Sequence, residues 1–115
     1  MALTEGKYTG EFLLRAANGT RSREEVVIAA AAGAMVPGTL VGKITASGKY
    51  IAYDDDGTDD GRRQAAGVLY HAVADSAADQ KAVIIARDAE VNGDELTGSD
   101  ANGVADLLAL GIIVR

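Results

Sequence analysis

Five aspartates fall within the stretch YDDDGTDDG at positions 53–61, and acids at that density are the residues from which a calcium loop is built. Such a loop needs oxygen ligands at positions 1, 3 and 5, a glycine at 6 and a bidentate acid at 12. A register starting at Asp56 supplies Asp56, Thr58, Asp60 and Gly61 but ends on Gly67. The register that places Gly57 at position 6 ends on Arg63. The stretch therefore reads as a solvated turn, in which Asp and Gly provide positive φ and side-chain-to-backbone bonds, and no metal is expected. His71 is the one histidine; a triad would need Ser76 or Ser99 and an acid brought to it by the fold, and nothing in the sequence marks those serines out. It reads as a packed or partly exposed strand residue. GTLVGKI and GKITASGKY have three and five residues between their glycines where a phosphate loop has four, and neither Lys43 nor Lys49 is followed by Ser or Thr. Asp94 and Glu95 form a carboxylate pair that better suits a solvated loop than acid–base work. No catalytic residue and no cofactor are expected.

The elements that would position these residues are mostly short strands. KYTGEFLLR alternates, with Tyr8, Phe12 and Leu14 on one side and Lys7, Thr9, Glu11 and Arg15 on the other, the period of a strand with one face to bury. Asn18-Gly19 stops it. SREEVVIAAAAGAM mixes a capping-box spacing and alanines with the β-branched run Val26, Val27 and Ile28, and strand is the preferred reading. TLVGKI and YIAY flank TASGK as a hairpin. The aspartate connection follows, then AAGVLYHAV as a strand, ADSAADQ as a turn, and KAVIIAR as a nearly all-apolar strand expected in the middle of the fold. Val104, Leu107 and Leu108 have the i, i+3, i+4 spacing of an amphipathic helix that Ser99 or Asp100 can begin and Gly111 can end, before IIVR closes as a strand.

A chain of 115 residues is one domain, able to bury roughly 65% of the surface its unfolded form exposes. It has no cysteine, which excludes disulfides, thiolate zinc sites and cysteine nucleophiles. A net charge of −6 argues against a nucleic acid or an anionic membrane as partner, because such binding relies on Lys and Arg. The N-terminus lacks the pattern of a signal peptide, no apolar run approaches the roughly 18–20 residues that span a bilayer, and a soluble protein is expected.

The segments VPGTLVGKITASGKYIAYDDDGTDDGRRQAAGVLY, AVIIARDAEVNGDEL and LLALGIIVR occur in the order found in bacteriophage head decoration proteins of the lambda type. The chain resembles that family from about Ser22 to Arg115, and GKYTGEFLL resembles its N-terminal arm. The resemblance implies a compact, mainly β domain, a small β-barrel or β-clip-like body with one short C-terminal helix, at residues 22–115, and an extended capsid-binding arm at residues 1–21. It also implies a homotrimer that binds the major capsid protein at three-fold and quasi-three-fold positions on the outer surface of the expanded head, having passed through the host cytoplasm during assembly. In the family the aspartate segment is a connection with an Asp-Gly turn; this chain has more aspartates there, together with Arg62 and Arg63.

The arm's strand has no evident partner in its own domain, so an open sheet edge of a capsid subunit is the expected partner. Lys7, Tyr8, Thr9, Glu11, Phe12, Leu13 and Leu14 are the expected capsid-binding residues, with Tyr8, Phe12 and Leu14 filling pockets. The rival reading is a small β module of another virion part, a fibre or baseplate, that recognises carbohydrate or peptide. Sugar recognition would call for exposed rings, and the five aromatics, Tyr8, Phe12, Tyr50, Tyr53 and Tyr70, lie mostly in strand patterns.

Overall fold

Leu40 and Val41, Val68 and Leu69, and Ile84 and Ile85 are neighbours in sequence, and both members of each pair are buried. Adjacent residues of a strand point to opposite faces, so the strands that hold these pairs must be covered on both sides. The computed structural model, which describes Gly10, residues 12–16 and residues 21–115, has both covers. Its strands are β1 Leu13–Ala16, β2 Arg23–Ile28, β3 Leu40–Lys43, β4 Tyr50–Ala52, β5 Ala65–Leu69, β6 Gln80–Ile85, β7 Ala89–Val91 and β8 Ile112–Val114. A 3-10 turn at Gly93–Glu95 and a helix α1, Ala101–Ala109, lie between the last two strands.

Five strands close into a barrel in the order β2-β4-β3-β5-β6. β2 and β6 pair antiparallel from Arg23↔Ile85 to Ile28↔Gln80, and one parallel pair, Ile28↔Tyr50, completes the circuit. Ile28, Val41, Leu69 and Ile84 fill the barrel. The remaining strands form a sheet in the order β1-β7-β8, with β7 antiparallel to β1 and parallel to β8. Leu40, Val68 and Ile85 point out of the barrel into a second core, which they share with Phe12, Val91, Leu107 and Ile112. The apolar runs of β3, β5 and β6 are thus two faces of strands placed between two cores.

The mainly β reading with a single C-terminal helix holds. The hairpin of β3 and β4 pairs Val41↔Ala52 and Lys43↔Tyr50. The aspartate stretch lies in the connection from β4 to β5, and KAVIIAR supplies β6, with partners on both sides. The alanine run leaves the strand after Ile28 and turns, with Ala31 at φ 58°, its N–H on the Ser76 carbonyl and the Ala30 N–H on Asp79 Oδ1. Asp100 caps α1 by accepting the Gly103 N–H at 2.7 Å, and Gly111 follows the helix at φ 85°.

Three expectations are corrected. Of the helix triad only Leu107 is buried, whereas Val104 and Leu108 are 36% and 62% exposed. The inward face is Gly103 and Leu107, and Asp106 beside them accepts the Ala65 N–H, so α1 docks through a narrow i, i+4 stripe. The strand AAGVLYHAV ends at Leu69. The alternating N-terminal segment also has a partner in its own domain, since β1 pairs with β7 through Leu13↔Val91, Arg15↔Glu90 and Ala16↔Ala89. β7 has only three residues, too few to give a period, and its absence from the sequence reading left β1 without a partner.

Candidate functional site

The described chain begins against the end of β5. Gly10 donates its N–H to the Tyr70 carbonyl at 2.9 Å, and its carbonyl accepts the Leu13 N–H at 3.0 Å, so the chain turns directly into β1. Gly10 has φ 69°, a conformation that a side chain disfavours, and a Cβ there would lie 3.0 Å from Cε1 of the Tyr70 ring. The Arg23 guanidinium stands 4.6 Å from the centroid of the same ring, an attraction between the cation and the ring's negative face. A glycine, a ring and a cation from three distant segments fix the point where the N-terminal segment meets the barrel.

Phe12 follows the turn and is 1% exposed, packed in the second core, while its carbonyl accepts the Asn92 N–H at 2.7 Å. Its expected place was a pocket of a capsid subunit, and the cover it has here is its own domain. Burying such a side chain contributes roughly 1.5–3 kcal/mol, so residues 12–16 belong energetically to the body rather than to a detachable arm. Leu13 is half-buried against the same core, and Leu14 is 54% exposed. The other expected capsid-binding residues, Lys7, Tyr8, Thr9 and Glu11, lie outside the described residues. On the outer face of this sheet Glu90 is paired with Arg115 and lies 3.8 Å from Arg15. The Arg115 bond, ahead of the general field of the arginines, holds its carboxyl below the usual range.

His71 follows Tyr70 and is engaged at both ring nitrogens. Nε2 lies 3.1 Å from the Val83 nitrogen and Nδ1 3.1 Å from the Ala72 carbonyl oxygen. The backbone N–H can only donate and the carbonyl can only accept, so Nε2 is the acceptor and Nδ1 carries the proton. Ser76 is occupied elsewhere, its Oγ accepting the Ala78 N–H at 3.1 Å. No triad is assembled around His71 from the groups it bonds.

The aspartate loop uses its acids on its own chain. Arg62 donates to both oxygens of Asp60, at 3.0 and 2.8 Å, Asp54 Oδ1 accepts the Asp56 N–H, and Arg63 donates to the Gly57 carbonyl. The Arg62 bond holds the Asp60 carboxyl below its ordinary value. Among the described residues no three acids or histidines converge where a cation could sit. Lys49 pairs with Asp79 at 2.7 Å, and Asp94 sits in the 3-10 turn capped by Asn92. One buried polar contact was not anticipated: the Tyr53 hydroxyl donates to Asp100 Oδ1 at 2.8 Å. Burial, then this bond, pushes the Tyr53 pKa far up, and the link ties the start of the aspartate loop to the helix cap.

Tyr53 and Tyr50 are buried, and Tyr70 is engaged by Gly10 and Arg23. Sequence reasoning missed Tyr70, Arg23 and Gly10 as partners because they are 13 or more residues apart and each is ordinary in its own segment. The one local sign was Tyr70 and His71 at the end of an otherwise aliphatic strand.

A closed five-stranded barrel that shares its outer core with a small sheet and one short helix defines a compact, mainly β class of protein. The family model of bacteriophage lambda head decoration protein D matches residues 2–112 of the 115-residue chain, and the chain belongs to that family. A comparison with curated proteins returned no match. The family makes this chain a structural protein that decorates the phage capsid and is located on the virion. Among the described residues no helix is long and apolar enough to cross a membrane.

Proposed function

We propose that the protein binds as homotrimers to the major capsid protein at three-fold and quasi-three-fold positions on the outer surface of the expanded head, and that it stabilises the shell. The observation that carries this reading is a family match running through nearly the whole chain, the N-terminal segment included. A three-fold lattice position selects a C3 body, and each contact after the first is effectively intramolecular, so weak single contacts suffice. The net charge of −6 keeps the free protein dispersed. Leu14, Leu108 and Ile113, at 54%, 62% and 41% exposure, are large apolar side chains available to neighbouring subunits.

The N-terminal segment is the attaching part, through Lys7, Tyr8, Thr9, Glu11, Leu13 and Leu14, with Phe12 as its inward anchor. Two features support this. Among the described residues β1 stands at the edge of its sheet, with β7 on one side, so its outer main-chain groups suit addition of a strand from a capsid subunit. Gly10, just ahead of that strand, is held by its N–H on the Tyr70 carbonyl. The test is sedimentation with expanded and unexpanded heads. Full-length protein is expected to travel with expanded heads only, and a variant lacking residues 1–9, which keeps Gly10, Phe12 and β1, is expected to fold and stay in the supernatant. Equal binding of that variant would sink the attachment reading. Native mass spectrometry should give a trimer, and a monomer on the assembled head as well as in solution would sink the oligomeric part.

A further inference from the structure

At the end of the β5–β6 register one ladder acceptor is replaced by a side chain from outside either strand. Val68↔Ile85 and Leu69↔Ile84 are paired, so the next pair is Tyr70 with Val83. Half of that pair is made: the Tyr70 N–H donates to the Val83 carbonyl at 3.0 Å. In a regular antiparallel pair the Val83 N–H would return to the Tyr70 carbonyl. It goes instead to Nε2 of His71, and the Tyr70 carbonyl accepts the Gly10 N–H.

We infer that His71 is a positioning residue for the N-terminal segment: its imidazole replaces a ladder carbonyl, and the carbonyl so released holds Gly10. Each part of the exchange is met by the chemistry present. The half-buried Val83 N–H needs an acceptor, and the neutral ring offers one, with Nδ1 fixed as donor by the Ala72 carbonyl. A free carbonyl at the end of β5 points at the incoming chain, and Gly10 has the positive φ and the missing side chain that let its N–H reach it beside the Tyr70 ring. The attachment reading gives this placement its purpose, and the inference rests on that reading for nothing else. With the imidazole in place Gly10 is held at the end of β5; without it the ladder closes on itself and Gly10 is released.

Amide hydrogen exchange on the free full-length protein separates this from a merely structural histidine. In His71→Phe the Val83 amide is expected to keep its protection by returning to the Tyr70 carbonyl, while the Gly10 amide exchanges about tenfold faster, the effect of one lost hydrogen bond. His71→Gln, whose side-chain oxygen lies as many bonds from Cβ as Nε2 does, should restore Gly10. A Val83 amide that loses protection while Gly10 keeps its own would overturn the inference, as would no change at either. Should His71→Phe not fold, the wild-type ring decides: nitrogen shifts must report the Nδ1–H tautomer, and an Nε2–H tautomer refutes the exchange. Sedimentation with expanded heads is read separately. Transfer of protection with undiminished attachment supports the placement and counts against the arm, whereas lost attachment without transfer counts against the placement.

Discussion

The aspartate loop and the root of the N-terminal segment are both polar turns at the rim of one barrel, and they dispose of their hydrogen bonds in opposite ways. In the loop most bonds close locally: Asp60 serves Arg62, Asp54 serves Asp56, and the Gly57 carbonyl serves Arg63. At the root they cross the chain, from Gly10 to Tyr70, from Val83 to His71 and from Asn92 to Phe12. A dense run of acids advertises chemistry, yet Asp54 and Asp60 are taken up by a neighbouring N–H and by Arg62, and Asp55 by Asn102 of α1. The root is made of residues unremarkable in their own segments, and it joins parts of the chain that are far apart. Side chains whose bonds close locally can be exchanged at little cost, whereas bonds that join distant elements fix the geometry between them.

The widest separation between the two regions should appear on truncating one side chain in each. Phe12→Ala empties a fully buried site between the small sheet and the barrel, and a loss of about 3–5 kcal/mol in urea unfolding is expected. Asp56→Ala, in the loop, should stay within about 0.5 kcal/mol. Equal, small losses would mean that Phe12 belongs to an arm and not to the body. By the same argument Phe12→Asp should prevent folding rather than merely weaken attachment.

Backbone geometry gives a smaller contrast, in which the loop is the more sensitive. Gly61 has φ 117°, and a Cβ there would lie 2.1 Å from the Lys43 carbonyl oxygen, so Gly61→Ala must displace main chain that the loop shares with β3. About 2–3 kcal/mol is expected from strain at such a position. Gly10→Ala faces the edge of the Tyr70 ring, which can yield, and about 1–2 kcal/mol is expected, mostly from its positive φ. Denaturant midpoints order the two variants, and the reverse order would place the tighter constraint at the root.

The comparison also explains what was legible in the sequence. The hairpin of β3 and β4, the strand β6 and the cap at Asp100 rest on local signals: turn glycines, an unbroken apolar run, an acid before a helical stretch. They were readable because each is decided within about ten residues. β7 was not, since Ala89, Glu90 and Val91 become a strand only through β1 and β8 on either side. The exposure of Val104 and Leu108 was equally hidden, because spacing shows that a helix has an apolar side but not how narrow a stripe the barrel will cover. Phe12 is legible as an apolar strand position, but its cover is its own domain's second core and not an outside surface. Which surface buries a strand is a tertiary fact, and Val91 lies 78 positions from Leu13.

A milder perturbation of the loop is acid. Arg62 holds the Asp60 carboxyl below its ordinary value, chiefly through their hydrogen bonds. A carboxyl with a lowered folded pKa stabilises the protein above its unfolded value, and the contribution is lost as pH falls through the carboxylate range towards the lower folded value. Arg62→Met keeps the apolar stem and removes the charge. The wild type should be slightly the more stable near neutrality, and the difference should shrink as pH is taken down through that window. A difference that stays constant would show that Arg62 acts through packing alone. His71→Gln in the root should not alter this pH dependence.

The smallest expected effect is that of calcium, and it tests the loop's self-sufficiency most directly. An ion binding at Asp54–Asp60 would have to take oxygens already in use, since Asp60 holds Arg62 through both of its oxygens and Asp54 Oδ1 holds the Asp56 N–H. It would also lack an acid at the twelfth position in either register. A site that bound nonetheless would raise stability by RT ln(1 + [L]/Kd), about 2.7 kcal/mol at a hundredfold excess over Kd. Millimolar calcium or EDTA is therefore expected to leave the melting temperature unchanged in the wild type. Arg62→Met is the sharper arm of the experiment, because it frees the Asp60 carboxylate and removes a competing cation. If calcium still has no effect there, the loop lacks the geometry of a site and not merely a vacant acid; a rise of several degrees would instead mean that Arg62 occupies the place of a metal.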